Sequence, residues 1–404
     1  MPTKTPHIAI IGAGLQGSLC ALALAERGAR IALFDAADAP MSRASLWNEG
    51  KIHLGYIFAN DAPDRTARLM ARGSGAFSQV IARYAKVKDL HQNLSAPFVY
   101  RVMPDSLLTP AQLKMRYAAI DNEVSAHCQD YLGLGPIAPA RIVAEGEGQS
   151  LHGAVALFQT QERSIDPNYL ARIIRAALRD HPGISLHCST TIEALLPKAG
   201  AAPELRLTDQ RIEGPFDHVI NASWTDLLRL DADIIPSPQR PWLFRRKVAH
   251  FVETDEPLPE IQSTTMVLGP YGDVVSFDGG RRFYLSWYPV GCFAQTNALR
   301  PPDDWNTPLA PPKAEMHFEN ALHELSQRVP GMTKLKHANR QHRSEAGAIF
   351  SWGSGTVDQA DSELHQRFDV GPMSPTPYYH RVDTGKLTLA PLFAEILADR
   401  LIPR

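Results

Sequence analysis

Residues 7–35 read HIAIIGAGLQGSLCALALAERGARIALFD, and the fold is decided in this stretch. His7 to Ile11 is a short apolar run rich in β-branched residues, which predicts a strand buried on both faces. Gly12-Ala13-Gly14-Leu15-Gln16-Gly17 follows at once. Leu15, Leu19 and Leu22 then recur at helical spacing, and Gly28 stops the helix just after Arg27. A second apolar run, Arg30 to Phe34, ends on Asp35. Strand, glycine turn, helix, strand and carboxylate make the layout of a dinucleotide-binding βαβ unit.

Each of these residues has a mechanical use. Gly12 permits the tight turn, Gly14 lets the backbone approach a pyrophosphate, and Gly17 lets helix and strand pack closely. The helix N-terminus offers unpaired N–H groups to the anion. Asp35 can accept hydrogen bonds from adenosine ribose hydroxyls and would repel a 2′-phosphate. Ala36-Ala37-Asp38 supplies no arginine, which argues against NADP.

A chain of 404 residues can build two domains with ample core, and 44% hydrophobic with 21% charged residues is ordinary for a globular protein. A net charge of −2 argues against a nucleic-acid or anionic-membrane partner, and the basic cluster Arg240 to Lys247 reads as a solvated strand edge. No apolar run is long enough for an integral membrane span. The N-terminal MPTKTPH enters the first strand directly, leaving no room for a signal peptide. Cys20, Cys128, Cys188 and Cys292 lie far apart without metal-ligand spacing. They predict reduced thiols, no metal site and a cytoplasmic protein.

Further along, Arg43-Ala44-Ser45-Leu46-Trp47-Asn48-Glu49-Gly50-Lys51-Ile52-His53-Leu54-Gly55-Tyr56 has no clean helical or strand period. It is too apolar for a free loop, and a segment held against a ligand explains the mixture. Helices are predicted from Asp64 to about Tyr84, with Arg65, Arg68 and Arg72 on a solvated face, and after the cap Asp166-Pro167. Ile184 to Cys188, Glu204 to Thr208 and Phe216 to Ile220 read as strands, the last running into Asn221-Ala222-Ser223. That small-residue end suits the carboxyl edge of a parallel sheet, where ligands bind. Alternation then predicts antiparallel strands at Lys247 to Val252, Thr264 to Leu268, Asp273 to Phe277 and Arg282 to Trp287. In the last, Tyr284, Ser286 and Tyr288 share one face and Phe283, Leu285 and Trp287 the other. Arg300 to Pro312 is a proline-rich connection before a helix from about Ala314 to Val329. Thr384-Gly385-Lys386-Leu387-Thr388 precedes a final amphipathic helix, a second glycine turn favouring an anion.

GAGLQG with Asp35, SLWNEGKIHLG, ERSIDPNYL, VINAS and TGKLTLAPLFA together resemble the D-amino-acid oxidase superfamily of FAD-dependent oxidoreductases. Glycine oxidase, sarcosine oxidase and L-2-hydroxyglutarate dehydrogenase are members. The resemblance implies an α/β protein with a discontinuous Rossmann-like FAD-binding domain and a mixed or antiparallel β-sheet substrate domain. The division expected is residues 1–85, 140–235 and 335–404 for FAD, with 86–139 and 236–334 for substrate. Carried over, Gly12, Ala13, Gly14, Leu15, Gln16 and Gly17 would line the pyrophosphate, and Asp35 and Ala36 the adenosine ribose. Arg43, Ser45, Leu46, Asn48, Gly50, Lys51 and Ile52 would lie along the pyrophosphate, ribityl chain and flavin. Thr191 would sit near the adenine. Asn221, Ala222, Ser223 and Trp224 match the family's N-A-x-G strand end, with Trp224 replacing the usual glycine. Gly385, Lys386, Leu387 and Thr388 would meet the flavin pyrimidine edge, where the helix dipole stabilises negative charge.

The substrate end departs from the family. Many members that oxidise amino acids carry a G-x-R-P whose arginine clamps the substrate carboxylate. The matching stretch here, Ala346-Gly347-Ala348-Ile349-Phe350, has no arginine, and Arg343 or Arg282 is the expected substitute. The candidate catalytic set is His53, Lys51, Tyr284 and Arg343. His53 could act as proton acceptor, flavin hydrogen-bond donor, covalent flavin link or structural residue. The leading reading is removal of hydride from the CH–NH carbon of a small molecule to FAD, with oxygen or a carrier as electron acceptor. A 2-hydroxy acid and a non-catalytic dinucleotide-binding role are the alternatives. An NAD-dependent dehydrogenase leaves residues 43–56 and 384–388 without a role.

Overall fold

The structure is a computed structural model describing residues 5–146 and 151–404. Residues 1–4, part of the N-terminal stretch expected to enter the first strand directly, and residues 147–150 lie outside the described residues.

The opening stretch folds as its pattern requires. Strand β1 is His7–Ile11, helix α1 is Leu15–Glu26 and strand β2 is Arg30–Phe34. They belong to a six-stranded sheet ordered Gly371–Met373, Tyr379–Asp383, His218–Asn221, β1, β2, Ile184–His187. All its pairings are parallel except the one that joins the Gly371–Met373 edge. Alternate residues of β1 serve two cores. Ile8 and Ile10 pack with α1, Arg65–Ala85, Pro167–Asp180 and Ala390–Leu401, whereas Ala9 and Ile11 pack with the small sheet that includes Ile192–Leu196 and Glu204–Leu207. This is why the first strand is apolar at every position from Ile8 to Ile11.

The second sheet has nine strands. One of its two longest, Trp242–Thr254, pairs with Arg282–Trp287, Cys292–Thr296 and Arg340–Trp352. All pairings are antiparallel except that of Thr264–Val267 with Val99–Val102, so the sheet is mixed. Phe283, Leu285 and Trp287 pack outward under the helix Pro311–Arg328, and Tyr284 faces inward.

Two expectations change. Strands Arg141–Glu145 and Ala156–Gln159, and strand Arg340–Trp352, lie in the nine-stranded sheet, so divisions at 140 and 335 do not follow the sheets. Their partners are distant in sequence, and nothing local announces the pairing. The cluster Arg240 to Lys247 is no solvated edge, because Trp242–Thr254 has neighbours on both sides and Arg245 and Arg246 are buried. The arginine face of Arg65–Ala85 is solvated as expected, with Arg65, Arg68 and Arg72 all exposed; Arg68 forks onto Glu123 at 2.9 and 2.7 Å, and Arg65 stacks over Phe368. Among the described residues no helix is long and apolar enough to cross a membrane.

Candidate functional site

The cleft between the sheets opens at the carboxyl ends of β1, β2 and His218–Asn221. It holds two chambers, of about 330 and 160 Å³, that meet at a waist lined by Gly14, Ser45, Trp47, Trp224, Gly347 and Ala348. Gly12 has φ +97°, and an added Cβ would lie 2.5 Å from the Ala222 carbonyl oxygen. Only glycine lets the first turn rest on the end of the neighbouring strand. A Cβ on Gly14 would lie 2.9 Å from Ser45 Oγ, inside the cradle, and one on Gly17 would fall 1.8 Å from Gly12 O. Ser45 Oγ accepts from the Leu15 N–H at 2.9 Å, at the opening of α1. Asp35 accepts from Ala13 N at 2.6 Å and Ala37 N at 2.7 Å, tying the glycine turn to the end of β2.

Asp35, Ala36, Arg43, Thr191 and Ser223 line the small chamber beside Gly12, and Ala222 and Trp224 line both. Leu15, Gln16, Asn48, Lys51, Gly385, Lys386 and Leu387 line the large one. Seven expected cofactor residues lie behind these walls. Ala13 and Gly17 shape the turn, and Leu46 and Ile52 pack in the core. Gly50 lies against Ile165 O. Asn221 donates to Leu227 O and Tyr379 Oη at 3.0 Å each. Thr388 Oγ1 accepts from His53 N at 2.8 Å.

The large chamber concentrates charge. Lys51 Nζ donates to Asp273 Oδ1 at 2.6 Å and Thr265 Oγ1 at 2.5 Å, and it sits over the Phe98 ring. Burial opposes the charge on Asp273, but Lys51 and Lys247 together hold the carboxyl below its usual range. Glu49 is likewise held low against burial by Lys247, Lys386 and Lys51. Burial, with Arg367, Lys247 and Lys51 nearby, draws Lys386 down to about 8. Burial also pushes the Tyr284 hydroxyl up, beside Lys247.

His53 is buried, with Nδ1 3.4 Å from Glu162 Oε1. Burial lowers its pKa, and Glu162 opposes the fall. Glu162 is fully buried; its Oε2 accepts from Leu54 N at 2.6 Å and its Oε1 from the Tyr100 hydroxyl. Against the desolvation of burial, His53, Lys51 and Tyr100 hold it ionised. The pairing comes from register: Lys51 faces Ser164 and Ile52 faces Arg163 in a two-residue ladder, so the next step sets His53 beside Glu162.

Arg343 and Arg282 lie outside the chambers. Arg343, its side chain 43% exposed, bonds Glu345 and covers Phe251, while Arg282 bonds Asp166 at 2.5 Å. The chamber's arginines are Arg245 and Arg367. Among the described residues Arg245 has no hydrogen-bond or ion-pair partner, and Arg367 Nη1 donates only to the carbonyls of Leu364 and Gln366. Sequence reasoning missed both, together with Glu162, Asp273, Lys247 and Glu49. Strand alternation is the one signal for Arg245 and Lys247, which share a face of Trp242–Thr254 with Ala249.

The sequence matches the family model DAO, described as FAD dependent oxidoreductase, over residues 7–400. The chain belongs to this family. No protein of curated function matches it by sequence. Among solved structures, glycine oxidase from Geobacillus kaustophilus is similar at 15% identity, covering 98% of this chain and 95% of that one, with TM-score 0.71. Iminodiacetate oxidase from Chelativorans sp. BNC1 shows 16% identity, 97% and 94% coverage and TM-score 0.67. FAD-bound L-alpha-glycerophosphate oxidase from Mycoplasma pneumoniae shows 15% identity, 100% and 96% coverage and TM-score 0.65. These likenesses extend the fold over the whole chain. The DAO-family cofactor is FAD, and the residues fit it: two joined chambers suit a dinucleotide, and the glycine cradle at the waist leaves space that a side chain would fill.

Proposed function

We propose that this FAD-dependent oxidoreductase dehydrogenates a small carboxylate-bearing molecule at a carbon carrying oxygen or nitrogen. One observation carries the reading: a single chamber contains a buried imidazole backed by a carboxylate and two guanidiniums that form no ion pair among the described residues. FAD, when bound, accepts the hydride. Gly14, Ser45 and the N-terminus of α1 would hold its pyrophosphate, Asp35 and Thr191 its adenosine, and Asn48, Lys51 and Gly385 to Leu387 its flavin.

Arg245 and Arg367 bind the substrate carboxylate, which a planar guanidinium matches in pairs of hydrogen bonds. Among the described residues neither forms an ion pair, unlike Lys51, which pairs with Asp273 at 2.6 Å. His53 accepts the proton leaving the substrate's O–H or N–H. Its lowered pKa keeps it neutral near pH 7. With Nδ1–H turned to Glu162, Nε2 becomes the accepting atom, and Glu162 stabilises the imidazolium that forms. A hydroxyl must lose its proton as the carbonyl forms, whereas an amine assists hydride loss through its own lone pair. The His53–Glu162 pair therefore favours a 2-hydroxy acid over an α-amino acid. The electrons pass on to oxygen or a carrier, and four unpaired cysteines support a cytoplasmic setting.

The test is anaerobic mixing of the flavin-loaded enzyme with chain-matched 2-hydroxy acids, α-amino acids and uncharged alcohols and amines. Bleaching of the flavin band by the acids alone, fastest with the 2-hydroxy acids, is expected. Bleaching by the uncharged compounds at equal rates would overturn the carboxylate assignment.

A further inference from the structure

Trp224 has φ +58°, a left-handed conformation that bulky side chains rarely adopt. It lies just past the carboxyl end of His218–Asn221 and opens the short turn Trp224–Asp226. Glycine would take this conformation without strain, and strain of this kind persists only where the surroundings hold it. Here the surroundings are tertiary. The indole Nε1 donates to the Ala348 carbonyl oxygen at 3.0 Å, and the ring meets Phe350 edge-on at 6.2 Å. Ala348 and Phe350 belong to Arg340–Trp352 in the nine-stranded sheet, whereas the backbone of Trp224 follows a strand of the six-stranded one. The indole therefore bridges the two sheets. It does so at the waist, where it lines both chambers. Trp47 approaches the same strand, its ring 3.8 Å from the place of a Cβ on Gly347.

We propose that Trp224 is a latch across the waist, a positioning residue that retains the dinucleotide. A ligand filling both chambers must pass the waist, and an indole fixed to Ala348 stands beside that passage. Withdrawal of the ligand requires the Nε1–Ala348 bond to break and the ring to part from Phe350. The bond and the ring contact also hold the strained backbone in place. The inference rests on FAD occupying both chambers and is independent of the substrate class.

The experiment compares the flavin-loaded wild type with Trp224→Gly and Trp224→Phe. It measures the FAD dissociation rate, with an excess of a flavin-scavenging apoprotein as trap, and the melting temperature of each apoprotein. Trp224→Gly is expected to raise the dissociation rate by about ten-fold or more, the size set by losing one good hydrogen bond with its ring contact. Its apoprotein should melt no lower than wild type, because the left-handed strain is relieved. Trp224→Phe, which keeps a ring and loses the donor, should fall between. Dissociation within about two-fold of wild type in both variants overturns the latch. So does faster dissociation accompanied in both by a lower apoprotein melting temperature, since the indole would then only support the fold. If Trp224→Gly does not fold, Trp224→Phe decides by the same two measurements.

Discussion

His53 and Glu162 oppose one another in a way that a pH profile can read. Burial lowers the His53 pKa below the ordinary 6.5 and Glu162 works against that fall. The proton-accepting form therefore persists to lower pH than in a free imidazole, and the acidic limb of the flavin-reduction rate is expected below pH 6.5. His53→Asn should slow reduction by about 10²–10⁴ and abolish the limb while FAD content stays normal. Glu162→Gln removes the charge that raises the His53 pKa, so the limb should move to lower pH with a smaller loss of rate. A limb unmoved by Glu162→Gln would show that another group titrates. Arg367→Met should weaken binding of a non-reacting carboxylate, read from the flavin spectrum, by about 10–100-fold, the worth of a charge-assisted contact. Arg343→Met should leave it unchanged, since Arg343 sits outside the chamber on Glu345.

At the scale of elements, local pattern and tertiary position part company. Helix Pro167–Asp180 was legible because its cap and apolar period are local: Asp166 accepts from Asn168 N at 2.8 Å. That carboxylate also receives Arg282 from the nine-stranded sheet at 2.5 Å, a contact no local pattern announces. Asp166→Ala should therefore cost more than a simple cap, about 1–3 kcal/mol in a urea or thermal melt of the protein, and a loss under about 0.5 kcal/mol would mean neither contact matters. The strand Trp242–Thr254 is the reverse case. Its alternation is visible in the sequence, but four basic residues in eight made it read as an edge. Its neighbours on both sides bury Arg245 and Arg246, and the cavity gives Arg245 and Lys247 a place to point.

Across the whole molecule, the two ends of the chain meet. Tyr379–Asp383 pairs with His218–Asn221, which pairs with β1, and Ala390–Leu401 packs on α1. Tyr379, Leu389, Phe393 and Leu397 are buried. Removal of residues 375–404 should abolish both a cooperative melt and flavin binding, since the sheet would lose an interior strand and the first helix its cover. A truncated chain that stayed yellow would contradict that dependence.

The sequence by itself determined the βαβ unit of residues 7–35, because strand period, glycine turn and helix period are all carried by near neighbours. It also determined the family, through motifs that keep their order along the chain. Only the tertiary structure decided which charges share the chamber. Glu162 reaches His53 through a ladder between distant segments, Arg367 arrives on the connection between Arg340–Trp352 and Gly371–Met373, and Arg245 depends on an interior strand's register. Side-chain chemistry is written residue by residue, but its juxtaposition is set by pairings between distant segments, and those leave no local trace.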